Sequence, residues 1–176
     1  MSEKLFITPA EMTGTTILGG NVDVDKYITN IGMTQISVIE PLLGTELYDK
    51  IVADFTADTL AGKYLTIFNE YVKPITKHEA LAEYIEVSSF MVDNGGTFKH
   101  QAADREIPTK DEIQMLAGKY HNIAQMYIKR FDKWICKNIG DVPEYKRYQD
   151  DVNAQNVEVK SGWYLGRSRE PDWRID

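Results

Sequence analysis

Three histidines, one cysteine and a run of lysines and arginines are the residues that could do chemistry in this sequence. His78, His100 and His121 are dispersed, and none has Glu three residues before it. Ile75, Thr97 and Gly118 hold those places, so the Glu-x-x-His signature of di-iron bundles fails. His78 falls on an apolar helical stripe, and the expectation is a packed, hydrogen-bonded histidine rather than a ligand. Asn21-Val-Asp23-Val-Asp25 opens like a calcium loop, but the sixth position is Lys26 and the twelfth is Gly32. Both the sharp turn and the bidentate ligand are missing, so these acids read as helix caps. Cys136 has Lys133 and Lys137 as neighbours, which could stabilise a thiolate, but no base is near it in sequence and a buried spectator is expected. No Walker loop, GxGxxG, GxSxG elbow or HExxH is present. The chain reads as a non-enzyme with no cofactor and no metal.

Two other groups could act by binding. Lys129, Arg130, Lys133 and Lys137 could form a phosphate-binding ridge, although such residues are more often the solvated side of an amphipathic helix. Trp163, Tyr164 and Trp173, flanked by Arg167, Arg169 and Arg174, have the composition of protein–protein hot spots. They sit in a segment too irregular for a helical core. Docking onto a partner and docking onto the protein's own body both remain open there. In the first case the tryptophans anchor in pockets, Val157-Glu-Val159 adds a strand to a partner's edge, and the arginines meet acidic rims.

The elements that must position these groups are helical. Residues 1–7 read as an arm, and Thr8-Pro9 as a helix start with Thr as cap, cut short by Gly14, Gly19 and Gly20. From Asp23, residues Val24, Ile28, Ile31, Gln35, Ile39 and Leu42 recur at helical steps; Pro41 should kink or end this helix and Gly44 close it. Thr45 can cap a second helix carrying Leu47, Tyr48 and Ile51. A long pattern then runs through Tyr64, Phe68, Tyr71, Ile75, His78, Ala82, Ile85, Ser89 and Val92, with Pro74 expected to bend or split it near Lys73. Residues 93–108 have no sustained period and read as a long loop or small hairpin. Thr109-Lys-Asp-Glu112 has capping-box spacing, and Ile113, Leu116, Tyr120, Ile123, Tyr127, Phe131 and Trp134 mark one stripe of a last long helix ending at Gly140. Pro143 stops it. The prediction is a mainly α protein: an elongated bundle of about four helices, near 23–43, 45–55, 63–91 and 110–139. Sheet is confined to 93–108 and 156–166. Residues 1–22 form an arm and short helix, 23–148 the helical domain, and 149–176 an extended tail. Phe68, Ile75, Ile85, Ile123, Tyr127 and Phe131 are expected to be buried between the two long helices.

A chain of 176 residues is long enough for one core without a disulfide or metal staple. Its composition, 43% hydrophobic and 27% charged, is that of a globular protein. One cysteine excludes an intramolecular disulfide and fits a reducing compartment. No apolar run reaches the ~18 residues of a membrane span, and MSEKLFITPAEM lacks the basic flank and apolar core of a secretion signal. The net charge of -7 argues against general coating of nucleic acid. It is unevenly placed. Residues 1–98 carry 6 Lys+Arg against 14 Asp+Glu, and residues 99–176 carry 14 against 13.

The segment IEPLLGTELYDKI at 39–51, followed by NEYVKPITKHEALAEYI at 69–85, resembles the small helical head–tail connector proteins of tailed bacteriophages, especially those of phages of Bacteroidetes hosts, the crAss-like group included. In those proteins an I-E-P-x-L-G-x-x-L-Y helix pair precedes a long helix with a Y-x-K-P element, then a loop opening near N-G, here Asn94-Gly95, and a last long helix. The resemblance spans roughly residues 25–145. It implies a structural virion protein at the neck, assembled in the host cytoplasm. Copies would close into a homo-oligomeric ring beneath the portal protein, twelve-fold like the portal, and offer a surface to a further neck ring or to tail proteins. Double-stranded DNA would pass through without specific binding, and an acidic surface suits such a channel. Two other readings stand beside this one: a helical DNA-binding regulator using the Lys129–Lys137 ridge, and a small enzyme, which needs a pocket with convergent polar groups.

Overall fold

In the computed structural model, residues 4–18, 22–88, 90–93, 96–99 and 108–146 are described. The fold is mainly α. Helix α1 (Pro9–Thr15) opens with the expected cap: Thr8 accepts from the Glu11 amide while the Glu11 carboxylate takes the Thr8 N–H, and Pro9 fills the first turn. A 3₁₀ turn at Val24–Lys26 follows. Asp23 stands at its cap position without a side-chain cap bond, so regular helix starts at Ile28, not at 23.

The helix that begins there runs through residues 28–43 as α2 (Ile28–Thr34), a π turn (Gln35–Ile39) and α3 (Glu40–Leu43). Pro41 neither ends nor breaks it. A proline ring collides with the carbonyl four residues back and offers no N–H. The π turn widens the spiral just before the proline, with the Glu40 N–H reaching back to Gln35 O, so the chain absorbs the misfit. The long helix at 62–88 repeats the device. It consists of α5 (Gly62–Ile67), a π turn (Phe68–Val72) and α6 (Lys73–Ser88), with the Lys73 N–H bonded to Phe68 O immediately before Pro74. Of the bend or split expected near Lys73, the split does not occur: the helix is continuous through Pro74.

Between them lies α4 (Thr45–Thr56). Gly44, at φ 77°, rather than Thr45, stands at its cap; that positive φ favours glycine and turns the corner from α3. Past Ser88 the chain enters a two-stranded antiparallel hairpin, β1 (Phe90–Asp93) with β2 (Gly96–Lys99), in which Asp93 pairs with Gly96. Strand therefore begins at 90, where helix was expected to persist to 91. Helix α7 (Lys110–Asn138) is capped by Thr109 and Glu112 in both directions. It spans about 43 Å at 1.5 Å per residue. No helix among the described residues is long and apolar enough to cross a membrane.

Two buried clusters lie along the body. One joins Ile39, Leu43, Leu47, Tyr48, Ile51, Phe68, Tyr71, Ile75, Ala124, Phe131 and Ile135. The other joins Met12, Tyr27, Ile31, Ala80, Leu81, Ile85 and Ala117. Helices 28–43, 62–88 and α7 contribute to both, so the clusters are two stretches of the same helix packing. The N-terminal segment is not a free arm. Phe6 is buried in the first cluster and Ile7 in the second, and the Phe6 N–H donates to Gln35 Oε1 at 2.8 Å.

Phe68, Ile75, Ile85 and Phe131 are buried as expected. Tyr127 is partly buried against the first cluster. Ile123 is not a core residue: it is only half-buried and borders a shallow surface groove with Met115 and Met126. The inward line of α7 runs instead through Ala117, Ala124, Phe131 and Ile135, where alanines let the two long helices approach closely.

Candidate functional site

The face between α6 and α7 brings together Glu79, Glu83 and His121. Glu79 is nearly buried, at 9% exposure, because the spacing that puts Ile75, Ala82 and Ile85 inward carries it there too. It is compensated from α7. His121 Nδ1 lies 2.8 Å from one Glu79 carboxylate oxygen and 3.0 Å from the other. A carboxylate on Nδ1 fixes the tautomer and leaves Nε2 as the reactive nitrogen. Glu83 and Glu86 border the same groove with Gln114 and Gly118. Burial, reinforced by Glu79 and Glu86, holds the Glu83 carboxyl above its usual range.

A Glu–His pair can hold or relay a proton. The described residues lining this groove include no Ser, Thr, Cys or Lys to serve as nucleophile. No group of three or more His, Cys, Asp or Glu is placed to hold a metal ion among the described residues. The pair satisfies the hydrogen-bonding capacity of a buried carboxylate. Sequence inspection missed it, because the partners lie 42 residues apart and neither belongs to a motif.

His78 is packed, as expected, between the rings of Tyr120 and Tyr127, whose centroids lie 6.0 and 6.1 Å away with the planes nearly parallel. The hydrogen bond expected of it is not made at Nδ1, which is buried without a partner among the described residues. Burial, with Lys77 adding to it, pushes this imidazole down to about 4.

Cys136 is exposed rather than buried; it falls on the outer side of α7. Lys129, Arg130, Lys133 and Lys137 are all exposed there, which fits the solvated-face reading, and Arg130 lies over the Tyr127 ring. The same outer side carries a feature the first stripe hid, in which Met115, Lys119, Asn122, Met126 and Lys129 recur at helical steps. Met115 is 73% exposed and Met126 47%. At the far end of α7, Tyr64 donates to Glu144 at 2.7 Å, a bond that pushes the phenol up to about 12. Lys146 pairs with Glu46.

The tail candidates Val157, Val159, Trp163, Tyr164, Arg167, Arg169, Trp173 and Arg174 lie outside the described residues, as do the 156–166 strand, His100 and residues 100–107.

No curated protein matches the chain, and no solved structure does. One family model matches residues 39–155, running from the first π turn through α7. The chain thus belongs to DUF6712, a family of unknown function.

Proposed function

We propose that this protein is a structural subunit of a tailed-phage virion, a ring component between the portal and the tail that extends the DNA channel. The observation that carries the reading is where the residues of the connector resemblance fall. Ile39, Leu43, Leu47, Tyr48 and Tyr71 are buried in one cluster, and Pro41 and Pro74 each follow a π turn. The resemblance is therefore to the framework of the helical body rather than to a surface dipeptide.

On this reading copies form a closed ring, twelve-fold like the portal, through heterologous contacts in which one surface meets a different surface of the next copy. Trp163, Tyr164 and Trp173 with Arg167, Arg169 and Arg174, together with Val157 and Val159, supply contacts to the portal, a neighbour or a tail protein. The test is cryo-electron microscopy of virions and of full-length protein mixed with portal. A ring of this chain at the neck is expected. Particles that lack the chain, or carry it elsewhere, overturn the proposal. In the full-length chain, Trp163→Ala with Trp173→Ala should leave the helical content intact and abolish portal binding.

The DNA-binding reading has the exposed Lys129, Arg130, Lys133 and Lys137 of α7 in its favour. Duplex affinity that falls steeply with salt is its signature.

A further inference from the structure

We infer that the outer face of α7 is a self-complementary docking face for α7 of a second copy, the two helices running antiparallel. Three independent features of the face point there. First, it is apolar where it should be wet: Met115 and Met126 are exposed and flank half-buried Ile123 in one shallow groove. Second, Gly118 sits mid-helix in that groove. Glycine is the poorest helix former after proline, yet Gly118 has no positive φ, and a Cβ built on it meets nothing within 4 Å. Nothing described in the subunit uses the gap, and a close-approaching helix would. Third, the charges at the two ends of the face are opposite, with exposed Lys119 between them. Asp111 and Glu112 stand exposed at its start, and Lys129, Arg130 and Lys133 stand exposed towards its end.

An antiparallel pair with its two-fold axis between Tyr120 and His121 satisfies all three features at once. Met115 meets Met126 of the second copy, and Gly118, on one flank of that line, lets its Asn122 come close. Asp111 faces its Lys129 and Glu112 its Arg130. A parallel pair would stack lysine on lysine, and it would align rather than oppose the helix dipoles. The contact is isologous and closes at two copies. It is separate from the heterologous contacts of the proposed ring, so it stands or falls on its own.

The test is sedimentation equilibrium of the full-length chain at low salt, with circular dichroism as the control for folding. A dimer whose dissociation constant rises with salt is expected. Gly118→Leu should keep or raise helical content, since the site is open in the subunit, while weakening the dimer about tenfold or more. Asp111→Lys and Lys129→Glu should each weaken it, and together should recover most of the loss, a rescue that misfolding cannot imitate. A full-length chain that stays monomeric up to ~100 μM overturns the inference, whether its own tail or nothing covers the face. A dimer indifferent to Gly118→Leu also overturns it, because that dimer uses another surface.

Discussion

Replacing His78 by Phe tests the packing of the two long helices through a proton. In the folded protein the imidazole lies between Tyr120 and Tyr127, with Nδ1 buried and unpartnered among the described residues, and burial holds it down to about 4 against an ordinary 6.5. Between these values the unfolded chain binds a proton that the folded protein refuses, so stability falls as pH is lowered. The contribution is complete above 6.5, erodes below it, and is gone below about 4. A full separation of the two values is worth about 2 kcal/mol at pH 5. The ring is only partly buried, so solvent screens the charge and about 1 kcal/mol is expected. Glu83, held high, works in the opposite direction as its folded form takes up a proton first. Burial, which would raise the Glu11 carboxyl, is outweighed by its bonds from Lys73 and Thr8, and Thr109 holds the Glu112 carboxyl low; both act below this window. Phe keeps the stacking and removes the orphan nitrogen, so at about pH 7.5 the variant should be as stable as the parent or more so. Urea unfolding of both chains at about pH 7.5 and about pH 5 should show the parent losing about 1 kcal/mol more than His78→Phe. Equal losses would mean that the imidazole protonates freely in the fold, and the sandwich would be refuted.

Phe131→Ala should cost about 3–5 kcal/mol, since the ring is fully buried against Tyr71 and Tyr145; a loss under about 1 kcal/mol in urea unfolding would displace it from the core. Ile123→Ala should cost under about 1 kcal/mol in dilute protein, because that side chain is on the outer face, and a core-sized loss would return it to the interior. Thr109→Ala should lower stability by about 1 kcal/mol through loss of the reciprocal Glu112 cap, visible in thermal unfolding as a drop that Thr109→Ser largely avoids.

Local rules carried the sequence reading where the physics was local. The caps at Thr8 and Thr109 depend on four residues each, and both formed as read. Helix runs through Pro41 and Pro74 as read. The kink or end expected at the first and the bend or split at the second are met by a π turn before each proline. Both flanks are buried in the same body, and a π turn is a smaller disruption than unpacking a helix. The reading failed where large side chains were taken to mark the core. At a close helix crossing the deepest positions are small, so Ala117 and Ala124 held the centre while Ile123 slid outward. The Glu79–His121 pair was illegible for a different reason, as it exists only once α6 and α7 lie side by side.

Phe6 and Ile7 act as a clasp with consequences for the order of folding. Phe6 packs edge-on against Tyr48, Phe55 and Phe68, with centroids 5.4 to 5.8 Å away, while Ile7 sits in the other cluster. These two adjacent residues close a loop of some sixty residues to Phe68, a contact whose entropy must be lost before it is rewarded. During synthesis the pair leaves the ribosome well before its receptor exists, and it stays exposed until residues 62–88 have emerged. Its docking then locks both ends of the body in one step, so a subunit still lacking that step is a looser particle than the finished one. Amide exchange in residues 28–43 should report the closure, because the Gln35 side chain that receives the Phe6 N–H lies within that helix.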